Sequence, residues 1–224
     1  PPRLRRQRQM CIRDRVYSKD MEHDACGVGL VASTEGKKSR AVVDYGIQAL
    51  KAVWHRGAVD ADGKTGDGAG IHLEIPKDFF IEKIEITGHK FDNSEICVGM
   101  IFLPRNNFDA QETCRTIVES ELTKSNFSIY GWRQVPVNPK VLGEKADRTR
   151  PEIAQVLFKH NIKELSGKNL ERKLYETRRK IENEAIKKSL SGFYICSLSS
   201  KSIIYKGMFL AESISDFYID LQDE

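Results

Sequence analysis

Long apolar runs are missing from this 224-residue sequence, and its five cysteines form no paired motif. No stretch approaches the roughly 20 apolar residues that a membrane-spanning helix needs, and no apolar segment of signal-peptide type follows the basic N-terminus. The cysteines are odd in number, widely spaced and free of any C-x-x-C pair, which indicates neither a disulfide framework nor a zinc knuckle. We therefore expect a cytoplasmic protein with reduced thiols, no metal site and no membrane partner.

A basic surface is also lacking once the N-terminus is set aside. The chain has a formal net charge of +4, but residues 1–19 alone hold seven basic residues and one acidic residue. The remainder holds 29 basic and 31 acidic residues, a net charge of −2, so no nucleic-acid partner is predicted. Residues 1–20 are assigned to a basic tail outside the domain. The tail is either a disordered arm or an artefact, because MCIRDR resembles translated adapter sequence.

Apolar patterning from Cys26 onward predicts strands alternating with amphipathic helices. Strands are predicted over seven segments, at residues 26–33, 70–75, 96–104, 127–137, 152–158, 192–199 and 202–207. The last two are predicted to form a hairpin, because only turn residues separate them. Helices are predicted at residues 39–54, 109–124 and 170–190, the first with Gly57 at its C-cap. This pattern indicates an α+β or layered α/β class.

A glycine-rich stretch at residues 54–70, WHRGAVDADGKTGDGAG, fits none of the generic ligand-binding loops. Its G-K-T follows the preceding glycine after five residues, whereas a phosphate loop requires four. Its G-D-G-A-G has Ile71 where a dinucleotide-binding fingerprint needs a third glycine. Its D-A-D-G-K lacks the third oxygen ligand and the distal glutamate of a calcium loop.

Cys26 stands between a short polar lead, MEHDA, and a run of small residues, CGVG. Taken alone, a cysteine beside apolar residues is more often a small buried hydrophobe than a nucleophile. However, MEHDACGVGLVA together with WHRGAVDADGKTGDGAGIHLEIP closely resembles the class II glutamine amidotransferase domain that opens glutamate synthase large chains. The resemblance continues less densely through GWRQVPV to FYICSLSSKSIIYKGMFLA. With this context the interpretation of Cys26 reverses, and we predict that it is catalytic.

The resemblance also implies a fold and domain boundaries. The expected class is α+β, a four-layer αββα sandwich of the N-terminal nucleophile hydrolase type. Residues 21–25 are the expected leader, and residues 26–224 the amidotransferase domain. In the family, the oxyanion-binding Asn-Gly pair and the arginine for the substrate carboxylate lie further downstream. Because no Asn-Gly occurs in this sequence, we expect a domain that is incomplete at its C-terminus and that alone has little glutaminase activity.

The implied mechanism begins with cleavage between Ala25 and Cys26, which frees an α-amine to act as the base for the thiol. The thiolate then attacks the side-chain amide of glutamine, and water hydrolyses the resulting thioester. Arg56 and Gly57 match the family's Arg-Gly pair and are assigned to substrate binding. An alternative for this pair is a basic residue in the last turn of a helix followed by a C-cap glycine.

The resemblance implies a parent enzyme that passes ammonia from L-glutamine to 2-oxoglutarate. FMN and an iron–sulfur cluster are expected in the parent but not in this segment. Expected partners are the remaining domains of the large chain, with a small subunit or ferredoxin as electron donor. Three alternatives remain: an amidotransferase with another acceptor, an inactive amidotransferase-like domain, and a module that binds nucleic acid or a membrane surface through its basic arm.

Overall fold

A computed structural model describes residues 27–53, 59–92, 95–162 and 165–223. Within these ranges the strands are Ala69–Glu74 (β1), Ile96–Leu103 (β2), Phe127–Gln134 (β3), Glu152–His160 (β4), Tyr194–Ser199 (β5) and Ser202–Gly207 (β6). The α-helices are Arg40–Ala52 (α1), Lys77–Ile86 (α2), Phe108–Lys124 (α3), Glu144–Thr149 (α4), Gly167–Lys187 (α5) and Ile214–Phe217 (α6). Short 3₁₀ turns cover Pro139–Val141, Ala211–Ser213 and Ile219–Gln222.

The described strands form two antiparallel sheets. One has four strands in the order β3-β4-β2-β5, and the other pairs β1 with β6. β2 lies inside the larger sheet and is buried along nearly its whole length, which explains why its sequence, ICVGMIFL, is apolar without alternation. Gly99 at its centre lets the neighbouring strands approach, because a Cβ there would lie 2.7 Å from Val156 Cγ1 and 2.8 Å from Leu198 Cδ1.

Two apolar cores separate the layers. Alternate side chains of β2 point to opposite faces of the larger sheet. Those of Ile96, Val98 and Met100 enter the core that it shares with the smaller sheet. Those on the other face pack with α3 and α5, whose buried residues recur at helical spacing. Because α1 packs against β1, the layer order is helix, sheet, sheet, helix. The predicted α+β class with stacked sheets is confirmed.

The predicted hairpin is wrong in its pairing, although both strands exist. β5 pairs with β2 in the larger sheet, whereas β6 pairs with β1 in the smaller one. The turn between them therefore carries the chain from one sheet to the other. Glu171 on α5 secures this turn, because its carboxylate accepts hydrogen bonds from the Ser199 hydroxyl and the Ser200 amide, both at 2.8 Å. Separation by turn residues indicates a reversal but not which strand edges will pair.

Two other predictions near the N-terminal end need correction. Residues 27–33 form no strand in the described structure, and Val28 and Leu30 are each 91% exposed. An apolar run becomes a strand only where a partner edge receives it, and no described strand pairs with this segment. The first helix ends at Ala52 with Val53 at its C-cap, so the C-cap is not Gly57.

Candidate active site

The predicted nucleophile Cys26 and the predicted substrate-binding pair, Arg56 and Gly57, lie outside the described residues. The structure describes most of the chain that connects them, from residue 27 through α1 to its C-cap Val53, and it resumes at Val59. The described elements next to these residues in the chain are α1 and the loop that leads into β1.

Helix α1 is anchored at its N-terminal end and along its buried face. Arg40 donates hydrogen bonds to the carbonyl oxygens of Leu221 (2.6 Å) and Asp223 (2.5 Å). These carbonyls lie at the end of the last 3₁₀ turn, where carbonyl oxygens have no hydrogen-bond donor within the helix. Further along α1, Ile47 is 6% exposed and shares its core with Ile71 of β1. The helix that leads from the Cys26 side to the Arg56 side is thus tied to β1 and to the C-terminal segment.

The loop after Gly57 folds into a tight acidic turn, defined here as residues 59–66. Val59 and Gly66 form an antiparallel bridge, and the Asp60 amide donates to the Thr65 carbonyl at 2.9 Å. At the tip, the Gly63 amide donates to the Asp60 carbonyl at 2.9 Å. Gly63 has a φ of 68°, a left-handed conformation that favours glycine.

The Asp62 side chain fixes the shape of the acidic turn. Its Oδ1 accepts from the amides of Lys64 (2.9 Å) and Thr65 (2.7 Å), and its Oδ2 accepts from the Thr65 hydroxyl at 2.6 Å. The Thr65 hydroxyl and amide, followed by the Lys64 amide, lower the pKa of Asp62 to about 2. The side chain is therefore ionised at neutral pH and is fully engaged by its own turn. Asp-x-x-Thr spacing is the sequence signal for such a turn, which sequence reasoning missed.

The acidic turn docks against the start of α4. A Cβ on Gly143 would lie 2.0 Å from Asp62 Oδ2 and 2.3 Å from Thr65 Oγ1, so the backbone approaches here as only a glycine allows. Thr65 is 3% exposed at this contact. Nearby, Lys145 donates to Asp60 at 2.8 Å, and this hydrogen bond lowers the pKa of the Asp60 carboxyl. Because the Lys145–Asp60 pair is exposed, the Gly143 contact contributes most of the fit.

Glycines at the other end of the loop also serve close packing. A Cβ on Gly66 would lie 3.0 Å from Leu210 Cδ2 and 3.1 Å from the Phe209 carbonyl oxygen. A Cβ on Gly70 would lie 2.8 Å from Lys206 Cβ on the paired strand β6. The described part of the glycine-rich stretch thus brings backbone close to neighbouring chain.

The three cysteines that the structure describes are poor nucleophiles. Cys97, Cys114 and Cys196 are all buried and unpaired. Burial raises the pKa of Cys114 to about 11 and that of Cys196 to about 12, and it raises the pKa of Cys97 further still. At neutral pH these groups are thiols, whereas the reactive form is the thiolate. None of them competes with Cys26 for the role of nucleophile.

Sequence reasoning also missed a buried polar cluster beneath the C-terminal segment. Arg133 on β3 binds Asp220 through both terminal nitrogens, at 2.6 and 2.7 Å, and donates to Gln155 at 2.8 Å. The Tyr205 hydroxyl lies 3.4 Å from Asp220, and burial raises the pKa of Tyr205. A 320 Å³ cleft opens beside the cluster. Because Arg133 is neutralised by Asp220, the cluster is suited to holding the C-terminal segment rather than a substrate carboxylate.

The described residues contain no group of three or more His, Cys, Asp or Glu side chains that could hold a metal ion. None of the described helices is both long and apolar enough to cross a bilayer.

Comparison with known proteins gives the class. The family of class II glutamine amidotransferases matches residues 26–224, and the chain belongs to this family. The glutamate synthase [NADPH] large chain of Azospirillum brasilense is 55% identical over 209 residues, covering 93% of this chain and 14% of that protein. Ferredoxin-dependent glutamate synthases from Arabidopsis thaliana and Spinacia oleracea are each 40% identical over 205 residues, covering 91% of this chain and 12% of theirs.

These findings confirm the resemblance found in the sequence. The resemblance covers only part of these relatives, because the chain spans about one seventh of the length of the Azospirillum brasilense protein.

Proposed function

We propose that this chain is the glutamine-hydrolysing part of a glutamate synthase and that Cys26 is its nucleophile. The main support is the family match, which begins at Cys26 and continues to residue 224, together with 55% identity to a glutamate synthase large chain. Further support comes from the described cysteines, whose raised pKa values make them unsuitable for the same role.

The proposed reaction starts when the leader, residues 21–25, is removed. The freed α-amine of Cys26 has an expected pKa of about 8, close to the ~8.5 of an ordinary thiol, so it can take the thiol proton. The thiolate attacks the side-chain amide carbon of glutamine. The C–N bond then breaks, and the protonated amine gives its proton to the departing ammonia. Water hydrolyses the γ-glutamyl thioester, which releases glutamate and restores the thiol.

Arg56 and Gly57 are proposed to bind the substrate beside the nucleophile. Their neighbours in the chain are described on both sides, with Val53 at the C-cap of α1 and Val59 in the bridge with Gly66. The pair is proposed to form part of the wall near the nucleophile, where Gly57 would allow the backbone to approach the substrate.

The parent enzyme is proposed to pass the ammonia to 2-oxoglutarate. The names of the relatives, NADPH-dependent in one case and ferredoxin-dependent in others, make both donors candidates for the reducing equivalents. We propose that FMN and the iron–sulfur cluster bind in other domains of the large chain, and that the enzyme acts in the cytoplasm. A nucleic-acid module is not favoured, because the net charge outside residues 1–19 is −2.

The test is replacement of Cys26 by alanine in the complete parent enzyme. Glutamine hydrolysis should be lost, and a glutamine-like diazoketone that labels the wild-type Cys26 peptide should no longer do so by mass spectrometry. Cys114→Ser is the matched control, because Cys114 is buried and should leave the glutaminase activity in place. Undiminished hydrolysis or labelling in Cys26→Ala would overturn the assignment.

A further inference from the structure

Helices α3 and α5 expose opposite charges to solvent. The two helices pack against the same face of the larger sheet and contact each other. The exposed charged residues of α3 are three acidic and one basic, whereas those of α5 are one acidic and five basic. We call the first group the acidic face, Asp109, Glu112 and Glu119, and the second the basic face, Lys168, Arg172, Arg179, Lys180 and Lys187.

Each charged face lies on the side of its helix that points away from the sheet. Helix α5 buries Leu174 and Ile181, which are seven residues apart, and it exposes Arg172 and Arg179 at the same spacing. Seven residues are close to two helical turns, so each pair lies along one side of the helix. The acidic and basic faces are therefore neighbouring stripes on the outer surface of one helical layer.

The ion pairs within these faces leave the charges available. Arg172 pairs with Glu176 at 3.3 Å, and Glu112 lies 3.7 Å from Arg115. The side chains of Arg172 and Glu112 are 81% and 75% exposed. Such exposed pairs contribute about 0–1 kcal/mol, so an incoming charge can compete with them.

Large apolar side chains accompany the charges on the same two helices. Phe108 of α3 is 78% exposed, and Tyr175 and Ile186 of α5 are 63% and 71% exposed. Tyrosine and arginine are the residue types that contribute most to protein–protein interfaces. The outer surface of this layer thus combines area that can be desolvated with charges that can determine orientation.

The size of the surface sets the expected affinity. Helix α5 has 21 residues and is therefore about 31 Å long, and two adjacent helices are together about 20 Å wide. A partner covering both helices would bury about 600 Å² on each side, or about 1,200 Å² in total, which is the lower limit for specific interfaces. We therefore expect a dissociation constant of about 1 μM or weaker.

We propose that the outer faces of α3 and α5 bind a second copy of this chain, with the basic face of each copy against the acidic face of the other. A two-fold axis running between the two helices brings both pairs of faces together, because an isologous interface repeats every contact. Charge complementarity selects this occupant. A partner of one sign, such as a nucleic acid, would meet one of the two faces with like charge. The inference does not depend on the proposed glutaminase function.

The experiment reverses one face at a time in the full chain and measures dimer formation by sedimentation velocity. The first variant carries Arg172→Glu and Arg179→Glu, and the second carries Glu112→Lys and Glu119→Lys. Each variant alone should have a dissociation constant at least about tenfold above that of the wild type, because like charges then face each other. An equimolar mixture of the two variants should recover a value within about threefold of the wild type, since opposite charges meet again in the mixed dimer.

The matched control carries Glu85→Lys and Glu212→Lys, two exposed changes that alter the net charge as much as the second variant but lie outside α3 and α5. Its dissociation constant should stay within about twofold of the wild type. Circular dichroism verifies that the variants are folded. A wild type that is monomeric at about 100 μM would overturn the proposal. A mixture that associates no better than its two components would also overturn it.

Cross-linking in the complete parent enzyme provides a second, independent measurement. Copies with Arg179→Cys are co-expressed with copies with Glu112→Cys and treated with a short bismaleimide. A link between the peptides that contain positions 179 and 112 must join two copies, because neither copy carries both changes. We expect this link and none between copies with Arg179→Cys and copies with Glu85→Cys. If the rest of the large chain covers α3 and α5, the first link will be missing, and the proposal is then wrong.

Discussion

Arg133 and Asp220 form an ion pair whose side chains are only 16% and 4% exposed. Removing one partner of a buried pair leaves an uncompensated charge, which typically costs about 3–5 kcal/mol. We expect Asp220→Ala to lower the free energy of unfolding by about 3 kcal/mol, as measured by urea denaturation. The double variant Arg133→Met with Asp220→Leu should recover part of this loss, because no charge then remains buried.

A surface pair provides the comparison for this prediction. Arg172 and Glu176 on α5 are 81% and 49% exposed, and such pairs contribute about 0–1 kcal/mol. Arg172→Met should therefore change the free energy of unfolding by less than about 0.5 kcal/mol. Equal losses in Asp220→Ala and Arg172→Met would show that burial of the Arg133 pair does not matter.

The sequence predicts the role of a single residue only where that role depends on its neighbours along the chain. Cys114 and Leu174 belong to the apolar stripes that predict helices at residues 109–124 and 170–190, and both are buried. Gly143 could not be found in this way, because the atoms that require a glycine there belong to Asp62 and Thr65, far upstream. The candidate-site residues were therefore predicted without the acidic turn that follows them in the chain. The assignments of Cys26, Arg56 and Gly57 stay predictions.

At the scale of elements, the turn from β5 to β6 depends on a side chain from α5. Glu171 accepts hydrogen bonds from the Ser199 hydroxyl and the Ser200 amide. Because hydrogen bonds to a charged group contribute about 1.5–3 kcal/mol, Glu171→Ala should lower the free energy of unfolding by about 2 kcal/mol in urea denaturation. Glu176→Ala, an exposed site on the same helix, is the control. A Glu171→Ala variant as stable as this control would contradict the assigned role.

The long helices α3 and α5 were predicted well, and the shorter helix α2 was not. The helices predicted at residues 109–124 and 170–190 are found as α3 and α5, because a regular stripe of buried residues determines both. Helix α2, Lys77–Ile86, was missed. It buries only Phe80 and Ile84 completely, so its pattern carries little signal.

Strand predictions failed where pairing decides the outcome. The apolar run at residues 27–33 has the composition of a strand but no described partner edge. The hairpin predicted from β5 and β6 is instead a crossing between sheets. Both errors arise because β structure depends on distant segments, whereas periodicity is a local property.

At the scale of the whole molecule, the central strand and the N-terminal segment should differ most in local stability. β2 is hydrogen-bonded on both edges and buried on both faces, so its amides should exchange only through global unfolding. Residues 27–33 are outside the described sheets and helices and should exchange fastest. Hydrogen–deuterium exchange followed by mass spectrometry would check this. Slow exchange at residues 27–33 would contradict the prediction and reveal a partner for them.

The pairing of β1 with β6 also determines how early the smaller sheet can form during biosynthesis. It joins Ala69 to Gly207 across about 140 intervening residues. At about 5–20 residues per second, β1 leaves the ribosome roughly 7–28 s before its partner. Throughout that interval the strand into which the acidic turn leads has an unpaired edge, which is open to wrong partners. A nascent chain therefore cannot complete the smaller sheet until the late strand has been made.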